Sequence, residues 1–255
     1  MQSDINEAHH HRIPGVTGGQ VLPALDPALA KLATHASKMR TRRGQSIGLT
    51  LDGNEAAFIV RSGALMLQVA AAATPRQVAA FLLPGDALRS SAVPPHVEAS
   101  LISANAAELW RFRWSVMEDF AAEDRSLARF LHDAAAARLA RHALHTAVLG
   151  EFSSEQRVAT VLTELAMLTG TPSAAGGILV DMPFRRNDLA DYLGLNPDTL
   201  SRIVARLRRD GVLGHSARSR TLVRDFRALA KLTPAARSLA EIHRHRRGDG
   251  LALFA

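Results

Sequence analysis

Residues 184–213 read FRRNDLADYLGLNPDTLSRIVARLRRDGVL and predict two short helices joined by a turn. We expect Asn187 to cap the first helix, since its side chain can accept hydrogen bonds from the N–H groups left open there. The apolar side of this helix would consist of Leu189, Ala190 and Leu193. Gly194 tolerates the backbone angles of a tight turn, and Asn196 can cap a second helix with Pro197 at its first position. The pattern is typical of a helix-turn-helix.

The second helix has two opposite faces. Its predicted buried stripe follows the i, i+3, i+4, i+7 spacing: Leu200, Ile203, Val204 and Leu207. Its predicted outward stripe is Asp198, Ser201, Arg202 and Ala205. Asp210 and Gly211 end the helix. An ordinary helical hairpin would show the same spacing, but exposed polar residues near the start of this helix, with basic residues on both sides, favour DNA binding.

Composition limits the class of protein. The 255 residues are 47% hydrophobic and 22% charged, as in globular proteins of one or two domains. No apolar run is long enough to span a bilayer, and the N-terminus lacks the pattern of a secretory signal. The absence of cysteine excludes disulfides, cysteine zinc sites and cysteine-ligated iron–sulfur clusters, and is expected of a cytoplasmic protein. A net charge of +7 indicates a polyanionic partner, nucleic acid or an anionic membrane surface.

The first half of the chain predicts a β-domain. We expect a flexible tail over 1–20 and an antiparallel β-barrel over 21–115, because short β-type runs separated by glycine turns are typical of a jelly-roll barrel. The predicted strands are 46–49, 57–60, 64–69, 77–83, 97–104 and 108–113. A hairpin loop is expected at 70–75.

Residues 116–150 predict one long helix for dimerisation. Heptad spacing from Phe120 predicts a coiled-coil seam with a second copy of the chain. The predicted dimer-interface residues are Phe120, Leu127, Phe130, Leu131, Ala134, Leu144 and Val148. Arg141 falls at a core position of this register, and an adjacent register through Ala135 and His142 fits nearly as well. The remaining alternative is a helix that packs entirely on its own barrel.

Residues 151–232 predict a winged helix-turn-helix domain. A capped helix precedes the two short helices, and 212–216 would pair with 220–224 across a basic turn to form the wing. A closing helix is expected at 225–232, followed by a tail at 233–255.

The order of barrel, long helix and winged helix resembles the CRP/FNR superfamily of bacterial transcription regulators. FIVRSG at 58–63 and LPGD at 83–86 look like its barrel signatures. DLADYLGL at 188–195 and TLSR at 199–202 look like the helix-turn-helix of its FNR and FixK branch. The resemblance implies an α+β protein with a cyclic-nucleotide-binding-like jelly roll, which binds palindromic DNA as a homodimer.

The resemblance also implies roles for individual residues. Bases would be read by Asp198, Ser201 and Arg202. The DNA backbone would be contacted by Arg186, Asn187, Asn196, Thr199, Arg218 and Arg220. FNR-like members have Glu-x-x-Ser-Arg here and bind TTGA-type half-sites. Asp198 is one methylene shorter than glutamate, which shortens its reach toward cytosine.

The sensing sites of the superfamily match less well. Arg89-Ser90 stands where cyclic-nucleotide binders have Gly-Glu, so cyclic AMP is not the expected effector. The iron–sulfur cluster of FNR cannot form without cysteine. Arg89 and His96 are the remaining candidates for an effector pocket, with His96 also a candidate haem ligand. An ordinary surface or core position is the competing interpretation for His96, and we predict neither a cofactor nor a metal.

These features together predict a transcription regulator whose partners are double-stranded DNA and a second copy of the chain, and not a membrane. RNA polymerase would be a further partner of an activator. The alternative is a ligand-binding protein-interaction module whose winged helix contacts protein. Catalysis is not expected, since no Gly-x-Ser-x-Gly elbow, P-loop, dinucleotide-binding glycine pattern or His-Glu-x-x-His occurs.

Overall fold

The computed structural model describes residues 32–70, 76–217 and 219–244. The strands of its first half are β1 (Ser37–Thr41), β2 (Ser46–Ile47), β3 (Thr50–Leu51), β4 (Asn54–Ser62), β5 (Leu65–Ala70), β6 (Gln77–Leu82), β7 (Ala87–Arg89), β8 (Glu98–Ser103) and β9 (Ala107–Arg113). They form two antiparallel sheets, one in the order β1-β9-β4-β3 with β7 also paired to β4, and the other in the order β2-β8-β5-β6. The two sheets face each other, which confirms the predicted barrel of jelly-roll type.

Strand β4 shows why the barrel packs as it does. Phe58 and Val60 point into the core between the sheets, where they meet Leu65 and Leu101. Ile59 belongs to a second apolar cluster on the outer side of the same sheet. Because both faces of β4 are covered, its centre is a continuous run of buried residues rather than an alternating one.

The turn from β4 to β5 depends on Gly63. Its φ is +77°, a left-handed conformation that favours glycine. A Cβ atom built there would lie 2.3 Å from the carbonyl oxygen of Ala106. Any other residue would therefore push the two strands away from the neighbouring turn.

The predicted single helix over 116–150 is wrong in one respect, because the structure has two helices. They are α1 (Trp114–Glu123) and α2 (Arg125–Glu151). Asp124 separates them, since its Oδ1 accepts hydrogen bonds from the N–H groups of Ser126 at 2.9 Å and Leu127 at 3.3 Å. The break lets α1 pack on the barrel, where Met117 is fully buried.

The C-terminal part contains a small sheet and five helices within the described residues. Its elements are α3 (Ser154–Thr169), β10 (Gly170–Pro172), β11 (Ile178–Asp181), α4 (Arg186–Tyr192), α5 (Pro197–Arg209), β12 (Leu213–Ala217), β13 (Arg220–Val223), α6 (Phe226–Lys231) and α7 (Ala236–Ile242). The sheet has the order β10-β11-β13-β12. The hairpin of β12 and β13 confirms the predicted wing, and α6 confirms the closing helix.

Several local predictions are corrected. The single run at 46–49 is replaced by the separate strands β2 and β3, and the sequence patterns missed β1, β7 and β10. The predicted tail at 233–255 contains α7, which packs through Leu239. The expected tail at 1–20 lies outside the described residues, as do positions 71–75 of the expected hairpin loop. Within the part that the structure describes, no helix is both long and apolar enough to cross a membrane.

Candidate nucleic-acid interface

Helix α4 begins one residue before the predicted cap. It starts at Arg186, so Asn187 lies exposed in the first turn and does not cap the helix. Arg185 is the cap residue instead. Asp188, the third residue of the helix, contacts this cap, because its Oδ2 accepts a hydrogen bond from the Arg185 N–H at 2.9 Å. An acidic residue three positions after the cap is a sequence signal of this arrangement, and it was available in the sequence.

The turn between α4 and α5 follows the predicted geometry. Gly194 has a φ of +61°, and the next N–H, that of Leu195, donates to Ala190 O at 2.8 Å. The Oδ1 of Asn196 accepts a hydrogen bond from the Asp198 N–H at 2.8 Å, which confirms Asn196 as the cap of α5. Pro197 occupies the first turn, where its missing N–H is harmless.

Helix α5 buries one face and exposes the other. Leu200, Ile203 and Leu207 are 3%, 7% and 1% exposed and belong to the core of the C-terminal domain, with Val204 packed at its margin. On the opposite face Asp198 and Arg202 are exposed and Ser201 is half-buried. The structure therefore brings the three predicted base-reading residues onto one accessible stripe, while their base contacts stay a prediction.

Two side chains on this stripe, those of Ser201 and Arg202, are already oriented by neighbours. The Ser201 hydroxyl donates to Pro197 O at 2.7 Å and accepts a hydrogen bond from Arg186 Nη1 at 3.1 Å. Arg202 Nη2 donates to Thr199 Oγ1 at 3.3 Å. These contacts lie at the surface, so DNA can replace them at little cost.

Four of the predicted backbone-contacting residues lie within the helix-turn-helix, and Arg220 lies on the wing. Arg186, Asn187 and Asn196 are exposed and Thr199 is half-buried. On the wing, Arg220 Nε lies 2.9 Å from Asp181 Oδ1, which neutralises part of its charge. Arg218 lies outside the described residues. The far end of α5 adds basic residues that were not singled out from the sequence: Arg206, Arg208 and Arg209.

Arg157 joins the long helix to the helix-turn-helix and was missed by sequence reasoning. Its Nη2 donates to Leu149 O at 2.7 Å, and its Nε donates to Phe152 O at 3.0 Å. Its Nη1 donates to Leu193 O, at the end of α4, at 3.2 Å. One guanidinium thus satisfies carbonyl groups at the ends of α2 and α4. No local pattern could reveal the contact with α4, because Leu193 lies 36 residues away in sequence.

A buried ionic cluster connects the barrel, α2 and the C-terminal domain. Arg141 Nη1 lies 2.9 Å from Asp86 Oδ1, and Arg141 Nε lies 3.0 Å from Glu164 Oε1. Glu164 Oε1 is also 2.9 Å from Nε2 of His243, which is 1% exposed. Burial alone would lower the pKa of Arg141, but the attraction of Asp86 and Glu164 raises it above its usual value.

Aromatic contacts extend this connection. The ring centroids of Phe81 and Phe184 are 3.7 Å apart, and His145 stacks on Tyr192 at 3.9 Å. Asp191 Oδ2 accepts a hydrogen bond from the Val78 N–H at 2.8 Å. Helix α4 is therefore docked on β6 of the barrel. Burial, the largest effect, lowers the pKa of His145 to about 4.

The predicted dimer residues are revised by the structure. Leu127 and Val148 are each 2% exposed within one protomer, so they have almost no surface left for a partner. Phe120, Phe130, Leu131, Ala134 and Leu144 are half-buried, and their role in a dimer stays a prediction. Arg141, also in the predicted seam, faces the ionic cluster. Leu139, on the same helix, is 69% exposed.

A cavity of about 700 Å³ separates the barrel from α2. Its wall is mostly apolar and includes Ile59, Leu67, Leu88, Met117 and Leu131. Of the two predicted effector residues, Arg89 lines the cavity and His96 does not. Arg89 is moreover engaged by Glu55, with Nε–Oε1 and Nη2–Oε2 distances of 2.6 and 3.0 Å. Hydrogen bonds from Arg89 are the main reason that the pKa of Glu55 is lowered to about 2.

Comparison with known proteins agrees with this geometry. A family model described as the Crp-like helix-turn-helix domain matches residues 156–232. The chain is 32% identical over 178 residues to the nitrogen fixation regulation protein FixK of Azorhizobium caulinodans, covering 70% of this chain and 71% of the relative. It is 30% identical over 193 residues to FixK of Rhizobium meliloti, covering 76% and 82% of the two chains.

A solved structure shows the same architecture. FixK2 from Bradyrhizobium japonicum superposes with a TM-score of 0.66 at 28% identity, covering 79% of this chain and 98% of that one. The match spans the barrel as well as the helix-turn-helix, so the resemblance is not confined to the DNA-binding motif. The chain therefore belongs to the FixK-like CRP/FNR transcription regulators, which bind DNA through a Crp-like helix-turn-helix domain.

Proposed function

We propose that this regulator acts in the cytoplasm as a homodimer on a palindromic promoter element with TTGA-like half-sites. One observation carries the proposal: Asp198 and Arg202 share the exposed face of α5, while the opposite face is locked into the core. A helix held in this way can enter the major groove without losing its own packing.

The chemistry of the exposed face matches base edges. The guanidinium of Arg202 can donate two parallel hydrogen bonds to O6 and N7 of a guanine, and the carboxylate of Asp198 can accept one from N4 of a cytosine. The Ser201 hydroxyl can pair with either. Because Asp198 is shorter than glutamate, α5 must lie closer to the bases for this contact, or the position is read less strictly.

Phosphate contacts would hold α5 in register. Arg186 and Asn187 sit at the start of α4, and Thr199 and Asn196 at the start of α5, where N–H groups and the helix dipole favour phosphate oxygens. Arg220 would exchange Asp181 for a phosphate. These contacts supply affinity that depends on salt rather than on sequence.

Dimerisation would use the outer face of α2. Residues at alternating spacings of three and four lie exposed there: Ala136, Leu139, Ala143 and Thr146. This spacing is that of a coiled-coil seam, and small residues allow two helices to approach closely. A two-fold axis along α2 would present two copies of α5 to successive major grooves, about 34 Å apart.

Fluorescence anisotropy tests this function. The duplex should contain TTGA and TCAA separated by about six base pairs, which puts the half-site centres about 10 base pairs apart. We expect specific binding that exceeds binding to a scrambled duplex about 10³-fold or more. Equal affinity for both duplexes at the same salt concentration would contradict the proposal. RNA polymerase would be a further partner only if the DNA-bound protein activates transcription.

A further inference from the structure

We infer that the C-terminal helix α7 fixes the angle between α2 and α3, and that His243, which follows α7, is the positioning residue that holds α5 in place relative to α2. The match to the Crp-like helix-turn-helix domain ends at residue 232, so α7 and His243 lie beyond it. The inference deepens the proposed function and rests on it in one respect, because α2 is taken as the axis of the dimer. It names what sets the distance between two copies of α5.

The joint between α2 and α3 is short. Helix α2 ends at Glu151 and α3 begins at Ser154, so only Phe152 and Ser153 connect them. Both connecting residues have extended backbone, and each contributes two soft dihedral angles. A small change in these angles would swing α3 through a large arc, together with α5, which packs on it. Contacts across the joint are therefore needed to hold one angle.

Helix α7 supplies apolar contacts on both sides of this joint, since it packs against α2 and α3. Its Leu239 is 2% exposed and lies in one cluster with Met167 of α3. Leu144 of α2 and Phe152 of the joint itself pack at the margin of the same cluster. A different angle between α2 and α3 would separate these side chains and expose apolar surface to water.

Two polar contacts hold α7 along α3. Before α7, the hydroxyl oxygens of Thr233 and Thr160 are 2.6 Å apart, and both side chains are buried. After α7, His243 Nε2 lies 2.9 Å from Glu164 Oε1. Thr160 and Glu164 are four positions apart, which places them on one face of α3. The segment that contains α7 is thus bound to this face at both of its ends.

His243 links α7 to α2 through Glu164. Oε1 of Glu164 accepts a hydrogen bond from Arg141 Nε of α2 at 3.0 Å and is the same atom that contacts His243. Burial would raise the pKa of Glu164, but the charge of Arg141 and the hydrogen bond from His243 lower it, so Glu164 is ionised. An ionised carboxylate only accepts hydrogen bonds, so Nε2 of His243 is the donor. Removal of this donor takes away one of the contacts that orient Glu164 toward α2.

The position of α5 relative to α2 decides which spacing of half-sites the dimer accepts. One additional base pair turns the second half-site by about 34° around the DNA axis and moves it by about 3.4 Å. A fixed angle between α2 and α3 rejects this change, whereas a variable angle follows it. His243 therefore affects the spacing between half-sites and not the reading of one half-site.

Pulsed electron paramagnetic resonance tests the fixed angle without DNA. The chain contains no cysteine, so nitroxide labels can be attached at Asp133→Cys on α2 and Arg209→Cys on α5, both exposed positions. Dilution with unlabelled protein restricts the measurement to distances within one chain. We expect one narrow distance distribution with His243 present, and a distribution about twice as wide or more in His243→Leu. His243→Gln should restore the narrow distribution, because a glutamine amide can still donate to Glu164.

Arg244→Leu is the matched control, because Arg244 follows His243 but is exposed, and it should leave the distribution narrow. Thr233→Val removes the polar contact at the other end of α7 and should also widen the distribution, which decides the inference if His243→Leu does not fold. The inference is overturned if the distribution is already broad with His243 present, or if it stays narrow in these two variants. It is also overturned if Arg244→Leu widens it equally, or if His243→Gln fails to restore it.

Fluorescence anisotropy connects the angle to DNA binding. For wild type, changing the spacer of the palindrome from about six base pairs to five or seven should weaken binding about tenfold or more. In His243→Leu the three duplexes should differ by less than about threefold, while binding to a single half-site stays within about twofold of wild type. An unchanged spacing preference, or an equal loss on the half-site and on all palindromes, overturns the inference. If wild type binds none of these palindromes, the proposed function fails, and the distance measurement still decides the inference.

Discussion

Arg141 Nε and Glu164 Oε1 lie 3.0 Å apart, and this contact joins the long helix α2 to the first helix of the DNA-binding domain. The same guanidinium binds Asp86 of the barrel through Nη1. Three parts of the protein therefore share one buried cation. Their relative position depends on it more than on any exposed contact, because a buried charge without its partner is costly.

Replacement of Arg141 by Met should destabilise the protein by about 3–5 kcal/mol, since Asp86 and Glu164 would lose their buried partner. Chemical denaturation measures this free energy of unfolding. Arg129→Met is the matched control, because Arg129 lies exposed on the same helix, and it should cost less than about 0.5 kcal/mol. Equal effects of the two substitutions would refute the structural role of the cluster.

Acidification should weaken folding through His145. Its pKa is lowered from the usual value of 6.5 to about 4 by burial, so between these values the unfolded chain binds a proton that the folded chain does not. Stability from this residue is fully present above the unfolded pKa and is lost as pH falls, by about 2 kcal/mol between pH 7 and pH 5.

The pH dependence of unfolding, measured in wild type and in His145→Gln, tests this expectation. The variant should lose about 2 kcal/mol less over the same interval. His142→Gln provides the control, because His142 is exposed on the same helix. If the free energy of unfolding changes with pH equally in wild type and in both variants, His145 is not the buried neutral group described above.

Replacement of Arg202 by Ala should cost about 1–3 kcal/mol in DNA affinity and relax the preference at one base position. Anisotropy titrations against duplexes with single-base changes measure both effects. Arg209→Ala, at the far end of α5, should instead weaken binding to all duplexes alike. A uniform loss in the Arg202 variant would show that this residue contacts phosphate rather than a base.

A negative charge at Leu139 should break the dimer. Leu139→Glu would place two carboxylates in the proposed seam, and we expect the dimer dissociation constant to rise about tenfold or more. Sedimentation velocity measures the change, with Ala122→Glu, an exposed site on α1, as the control. Wild type that sediments as a monomer, or an unchanged dimer in the variant, would contradict the proposed interface.

Local signals explain what could be predicted from the sequence. Gly194, Asn196 and Pro197 each specify backbone geometry by themselves, and the spacing of Leu200, Ile203 and Leu207 defines one face of one helix. The start of α4 was misplaced because Asn187 and Asp188 are both plausible near a helix start. Here Asp188, at the third helical position, makes the capping contact.

Long-range contacts explain what could not be predicted. Heptad spacing cannot distinguish a dimer seam from a face that packs on the same chain. Leu127 and Val148 were therefore predicted to contact a second copy, although both are buried within one protomer. Arg141 appeared as a flaw in that seam because its partner Asp86 is 55 residues away. The contact between Arg157 and Leu193 gave no local signal either, since these residues are 36 positions apart and folding brings them together.

Selection of bound sequences from a random DNA pool tests the central claim most directly. The pool should be offered to the full chain at physiological salt, and the recovered sequences aligned without assuming symmetry. The account predicts a palindrome with TTGA-like half-sites whose centres lie about 10 base pairs apart. Recovery of a single unpaired half-site, of no common sequence, or of a palindrome without a TTGA-like element would contradict it.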